Sequence, residues 1–228
     1  MKNAIKHFLL KYKHAIVALY MPIYLVWFLW LEGRDTVKFH YISCIVDDWI
    51  PFNELFVIPY FMWFAYVACV LVFLFFQTKH IGDFYRCAAT LMLGMTTSLL
   101  IYTIWPNAQA LRPEHFPRTN FLTELVAGLY HSDTPTNVCP SIHVYNSIAI
   151  HIGLCRSHYF KDKKGVKCAS LILCILICLS TMFLKQHSFI DVVFAILLYT
   201  LFHTMIYHPV RVKAPQYPRK KVAAKSRI

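Results

Sequence analysis

Charge is scarce in this 228-residue chain: 15% of its residues are Asp, Glu, Lys or Arg, while 58% are hydrophobic. Soluble domains average about 25% charged and about 45–50% apolar residues. The deficit argues against a soluble domain and for a chain that crosses a bilayer several times. Organised cysteine chemistry is also missing. Eight cysteines are present, but there is no CxxC pair and no Cys/His cluster, and most of them fall inside apolar runs. This argues against a zinc site or a disulfide framework; only Cys44 and Cys139 have positions from which a bridge outside the membrane is conceivable. No internal repeat is detectable, so a single domain is expected. No small-residue cleavage site follows the first apolar run, which is therefore expected to be a retained span and not a signal peptide. The basic segments carry no interleaved aromatic platform, which argues against nucleic acid as a partner. They are expected to set topology and to touch anionic lipid.

What the chain does contain is a series of long apolar runs. Six spans are expected, at about Ala15–Leu31, Leu55–Gln77, Phe84–Trp105, Pro140–Cys155, Cys168–Phe183 and Phe189–Tyr207. Pro22 lies early in the first and is expected to kink it, which a helix in lipid tolerates when neighbours satisfy the freed carbonyl. Phe39–Val46 is too short to span and reads as a surface or re-entrant segment. Pro106 ends the third span. In the long connection that follows, Thr119 or Asn120 is expected to cap a short helix over Phe121–Tyr130. The fold class is all-α: a polytopic membrane protein with six transmembrane helices in one bundle and a short helix between the third and fourth. The bundle occupies 14–207, between a basic N-terminus, 1–13, and a basic tail, 208–228.

Six spans place both termini on one side. Eighteen of the 23 lysines and arginines fall on that side, and five, Arg34, Lys38, Arg112, Arg118 and Lys185, fall on the other. By the positive-inside rule both termini are cytoplasmic. The expected location is a bacterial cytoplasmic membrane.

Five polar residues then converge on the extracytoplasmic face. His187 and Asp191 are spaced i, i+4 and share a helix face. A carboxylate that holds one imidazole nitrogen leaves the other free to attack or to take a proton. Ser141 and His143 lie at the start of the fourth span, where free N–H groups favour an anion. His143 can protonate a leaving oxygen. Arg112 offers a guanidinium fork for phosphate. The plainer alternatives are interhelical hydrogen bonds for the Ser–His and His–Asp pairs and interfacial anchoring for Arg112. Lys185 is either a phosphate ligand or a side chain facing outer water. Glu114, Glu124 and Asp133 read as solvated loop charges or partners of Arg112 and Arg118. His131, His151, His158 and His203 read as isolated polar groups, since none has a spaced partner; His151, two turns below His143 on a similar face, has donation to a helix neighbour as its alternative.

These residues carry a resemblance. Leu111-Arg112-Pro113, Pro140-Ser141-Ile142-His143 and Ser180-Thr181 followed by His187 and Asp191 resemble the three motifs KxxxxxxRP, PSGH and SRxxxxxHxxxD. These belong to the type 2 phosphatidic acid phosphatase superfamily. The motif lysine falls at Trp105, the glycine at Ile142 and the arginine at Thr181. The Lys-Gln-His-x-x-x-Asp form looks like the branch containing inositol-phosphorylceramide and sphingomyelin synthases. The resemblance implies six helices, a phospho-histidine on His187, Asp191 as its partner and His143 as the acid. It further implies Arg112 and Ser141 as phosphate ligands, with Lys185 replacing a lost cation, and no metal or cofactor. The expected activity is a lipid phosphatase acting on a phosphate monoester or pyrophosphate. A phosphotransferase moving a headgroup between lipids, and a non-catalytic lipid-binding or transport protein, are the alternatives. The expected partners are the membrane and a lipid phosphate substrate.

Overall fold

A computed structural model describes residues 11–34 and 37–207. The basic tail from residue 208, and most of the basic N-terminus, lie outside the described residues.

The chain is all-α and polytopic. Among the described residues, five helical segments are long and apolar enough to cross a membrane: Lys13–Glu32, Glu54–Phe76, Thr78–Ile104, Lys164–Phe183 and Phe189–Tyr207. The first begins as a 3-10 helix, Lys13–Leu19, and becomes the α-helix α1 at Tyr20–Glu32. The change of helix type falls just before Pro22, whose missing N–H is harmless in a first turn. A two-residue strand, β1 (His40–Tyr41), and a short helix, α2 (Ile45–Trp49), follow. Then come α3 (Val57–Phe76) and α4 (Ile81–Ile104), β2 (Asn107–Ala108) and α5 (Phe121–Ser132). The last three helices are α6 (Ile142–Arg156), α7 (Lys164–Phe183) and α8 (Phe189–Tyr207).

The segment expected to be surface or re-entrant is thus partly strand. β1 pairs in parallel with β2, His40 against Asn107 and Tyr41 against Ala108. α5 matches the expected short helix, and its cap is Asn120, whose side chain accepts from Thr123 N at 3.0 Å.

The expected fourth span differs most. α6 starts at Ile142, two residues after Pro140, and has 15 residues, about 22 Å at 1.5 Å per residue. A bilayer core is about 30 Å thick. α6 sits at the centre of the bundle and packs on α3, α4, α7 and α8. Facing protein on nearly every side, it needs neither full span length nor an apolar surface, and it buries Asn146 and Ser147. The approach to α4 is close: a Cβ on Gly94 would lie 2.0 Å from the Tyr145 ring. The Tyr145 hydroxyl crosses the same contact and donates to Thr90 O at 2.7 Å. All eight cysteines are free, Cys44 and Cys139 included.

Candidate active site

The end of the bundle that carries His187 is assembled from the α7–α8 link and the loop before α6. The α7–α8 link is tight. Thr181 O accepts from both Gln186 N, 2.9 Å, and His187 N, 3.0 Å. Lys185 adopts φ 52°, a left-handed conformation that costs a residue with a side chain about 1–2 kcal/mol. The side chain of Lys185 offsets this: Nζ donates to Asp47 O at 2.7 Å and to Ile50 O, at the C-terminal end of α2. Carbonyls at a helix C-terminus attract a cation.

His187 and Asp191 meet as the spacing requires, with Nδ1 3.3 Å from Oδ2. The Asp191 carboxylate also accepts from Ser188 N at 2.9 Å and is fully buried. Nδ1 is thereby engaged, which leaves His187 Nε2 as the nitrogen free for chemistry. The His143 ring centroid lies 5.8 Å from that of His187. Tyr60 and Trp63 hold His143 from α3, at ring distances of 4.8 and 4.5 Å.

Both histidines line a cavity of about 710 Å³ between α1 and α3. It runs from Asp133, Asn137 and Gln186 at the site end down to Met21, Leu25, Ala68 and Leu71. Its upper wall depends on the loop before α6. The buried Asn107 side chain accepts from Val138 N and Cys139 N, each at 2.8 Å, and donates to Cys139 O. Asn137, at φ 56°, donates to Glu32 Oε1 at 2.7 Å.

The three expected phosphate ligands, Lys185, Ser141 and Arg112, make the following contacts. Lys185 faces α2 and does not line the cavity, because the two carbonyls take its ammonium. Ser141 is fully buried and caps α6, its hydroxyl accepting from Val144 N at 3.4 Å; it does not line the cavity either. Arg112 reaches the cavity wall through Asp133 and Gln186. Its guanidinium donates to Tyr130 O at 3.0 Å, Asp133 O at 2.8 Å and Gln186 Oε1 at 2.5 Å, and stacks on the Tyr130 ring at 4.5 Å. Burial lowers its pKa, opposed chiefly by Asp133.

Several residues important to the site were not singled out from sequence. Asp47 is buried and accepts from Ser188 Oγ at 2.6 Å, Phe189 N at 2.8 Å and Cys44 N at 2.8 Å. It caps α8 and so fixes the segment that bears His187. Asp133 is no solvated loop charge. It lines the cavity and accepts from the Tyr60 hydroxyl at 3.3 Å. Burial pushes its carboxyl above the usual carboxylate range, against the pull of His187, Arg112 and the Tyr60 hydrogen bond. Arg118 pairs with Glu54 at 3.0 Å. His158, read as isolated, has a partner, its Nδ1 lying 3.0 Å from Asp83 Oδ2; His151 Nδ1 lies 3.0 Å from Ser170 Oγ on α7, the contact to a helix neighbour left as its alternative.

Two histidines with ring centroids 5.8 Å apart, one of them backed by a buried carboxylate, thus sit side by side on the wall of a cavity in an integral membrane protein. A family model described as the PAP2 superfamily matches residues 87–214. The chain belongs to that superfamily, the type 2 phosphatidic acid phosphatases, and its activity is of the phosphatase type, a lipid phosphoryl transfer. The comparisons with curated proteins and with solved structures returned no match.

Proposed function

We propose that the protein is a membrane lipid phosphatase that works through a phospho-histidine on His187. The observation that carries this reading is the juxtaposition of His143 and His187 on the cavity wall, ring centroids 5.8 Å apart, with His187 Nδ1 on Asp191. Nε2 of His187 attacks phosphorus. The N–P bond forms as the bond to the leaving oxygen breaks, and that oxygen takes a proton from His143. His143, now neutral, then removes a proton from water as the water attacks phosphorus, and the N–P bond breaks. Asp191 holds the imidazole and supports its positive charge during the first step.

A lipid substrate suits the cavity. Met21, Leu25, Phe61 and Phe64 line it and are also exposed on the outside of the bundle, which gives acyl chains a lateral route between α1 and α3. The charge count supports cytoplasmic termini, and with them an active site at the extracytoplasmic face of a bacterial cytoplasmic membrane. A second reading replaces water by an alcohol, so that the enzyme moves a phospho-headgroup between lipids. It is favoured by the lack of a lysine or arginine on the cavity wall among the described residues, since a phosphodiester carries one negative charge fewer than a monoester.

The test is turnover by purified protein in lipid nanodiscs on a panel of lipid phosphates and diesters, with products identified by mass spectrometry. His187→Ala should abolish both turnover and an acid-labile phosphoprotein. His143→Ala should slow turnover by about 10²–10⁴-fold. Equal activity in wild type and both variants would overturn the mechanism.

A further inference from the structure

α2 is a helix of five residues, of which only Asp47 is buried. A helix this short does not hold itself together in water, so its surroundings must hold it. On one face these are polar and belong to the His187 segment. The Asp47 carboxylate accepts from Ser188 Oγ at 2.6 Å and from Phe189 N at 2.8 Å, and Asp47 O and Ile50 O accept from Lys185 Nζ. Both flanks of His187 are therefore fixed to α2. The same contacts set its level in the bundle. Phe189 is the first residue of α8. Just beyond α2, Asn53 N donates at 3.0 Å to the carbonyl of Phe183, the last residue of α7. Both helices are of membrane-spanning length, so α2 lies at the ends of two spans, where hydrocarbon gives way to headgroups.

The opposite face of α2 is apolar and open. At about 100° per residue, Ile45 and Trp49 point the same way and Asp47 points away from them. Ile45 is 67% exposed and Trp49 72%. Exposed large side chains also stand at the neighbouring span ends: Leu55 just before α3, Ile104 at the last position of α4 and Phe189 at the first of α8. The face is thus continuous in level with the lipid-facing ends of the spanning helices. An apolar pair this exposed favours a lipid surface over water, and tryptophan is enriched at the membrane–water boundary. Asp48 is exposed beside the pair, which suits a helix lying along the surface and not one sunk in hydrocarbon.

We propose that α2 is a membrane-surface helix, seated through Ile45 and Trp49 in the headgroup boundary of the leaflet beside the active site, and that this seat holds the His187 segment in place. Burial of the two side chains in lipid orders α2, and its inner face passes that order to residues 185–189. Its consequence for turnover rests on the phospho-histidine reading; the seat itself does not.

Two measurements in lipid nanodiscs test this. The first needs no substrate. Lipids brominated close to the headgroup, or close to the chain ends, quench tryptophan according to its depth, and the difference between wild type and Trp49→Phe isolates Trp49. The shallow bromines should quench Trp49 at least about twofold more than the deep ones, since an interfacial helix sits about 5–10 Å into the headgroup boundary. Absence of quenching by either lipid, whether water or a second copy of the chain covers the face, would overturn the seat, and so would stronger quenching by the deep bromines. The second is hydrogen exchange. Ile45→Ser with Trp49→Ser should speed exchange across residues 185–190 by about tenfold and leave α6 unchanged, while Ile45→Leu with Trp49→Phe should keep the wild-type rate. Turnover should fall in the same order, in kcat more than in KM. Unchanged exchange in the Ser variant would overturn the link to His187. Trp49 seated as expected, with turnover that survives His187→Ala, would overturn the phospho-histidine and leave the seat standing.

Discussion

Asp47 offers the sharpest single test of how the site is held, because it touches no substrate. Its carboxylate accepts three hydrogen bonds and is 3% exposed. Two of the donors, the Ser188 hydroxyl and Phe189 N, open α8, next to His187. Asp47→Ala leaves these donors without an acceptor, at about 1–3 kcal/mol each. It also removes the cap of α8, worth about 1 kcal/mol. Allowing for overlap between these effects, the loss is about 3–5 kcal/mol. For a chain of this size that corresponds to a fall in Tm of roughly 6–20 °C. Asp47→Asn keeps one acceptor oxygen and should lose about half as much. Turnover should fall in the same order, because a misplaced His187 loses its alignment on phosphorus. The fall should appear in kcat more than in KM, since none of the cavity wall is removed. Thermal denaturation in detergent, followed by the nanodisc assay, measures both quantities. If Asp47→Ala melts within 2 °C of wild type, on the order of the smallest shift a 1 kcal/mol change gives, and turns over normally, Asp47 does not position the histidine.

Other consequences are simpler. Lys185→Met should leave KM for a lipid phosphate within about twofold while lowering Tm, because its ammonium serves α2 and not the cavity; a tenfold rise in KM would return Lys185 to phosphate binding. Gly94→Ala should collapse the yield of folded protein, since the new methyl would meet the Tyr145 ring at 2.0 Å and overpacking costs at least about 1–3 kcal/mol; normal expression and melting would refute the close α4–α6 contact. Asp133 holds its proton more tightly in the folded state than in the unfolded one. The stability this gives is present below the ordinary carboxylate pKa and lost as pH rises through the raised value. Asp133→Asn should therefore flatten that part of the Tm–pH curve, and an unchanged slope would show that Asp133 does not cause it.

Much of the fold could be read along the chain. Long apolar runs are linear features, and five of the six expected spans return as helices of membrane length. The i, i+4 spacing of His187 and Asp191 is local as well, so the pair follows once the helix forms. Asn120 caps α5 for the same reason: the cap and its donor are three residues apart. The fourth span was less legible, because a helix enclosed by four others answers to its neighbours and not to lipid. Its start at Ile142 makes Ser141 its cap.

Charged side chains show where sequence reading stops. A lysine or arginine near a motif has a reach of several ångströms, and nothing in the sequence says which acceptor it will meet. Lys185 and Arg112 both found backbone carbonyls, because helix ends leave those oxygens open. Asp47 lies 141 residues from the Ser188 it holds, in a segment with neither helical nor strand periodicity. The sequence by itself determined that the chain crosses the membrane, that His187 sits on Asp191, and that His143 opens a helix near the same face. Only the tertiary structure decided that Glu32 and Asp133 line a cavity beside the two histidines, and which carbonyls Lys185 and Arg112 meet, because contacts between distant segments depend on how helices pack, and packing leaves no period in the chain.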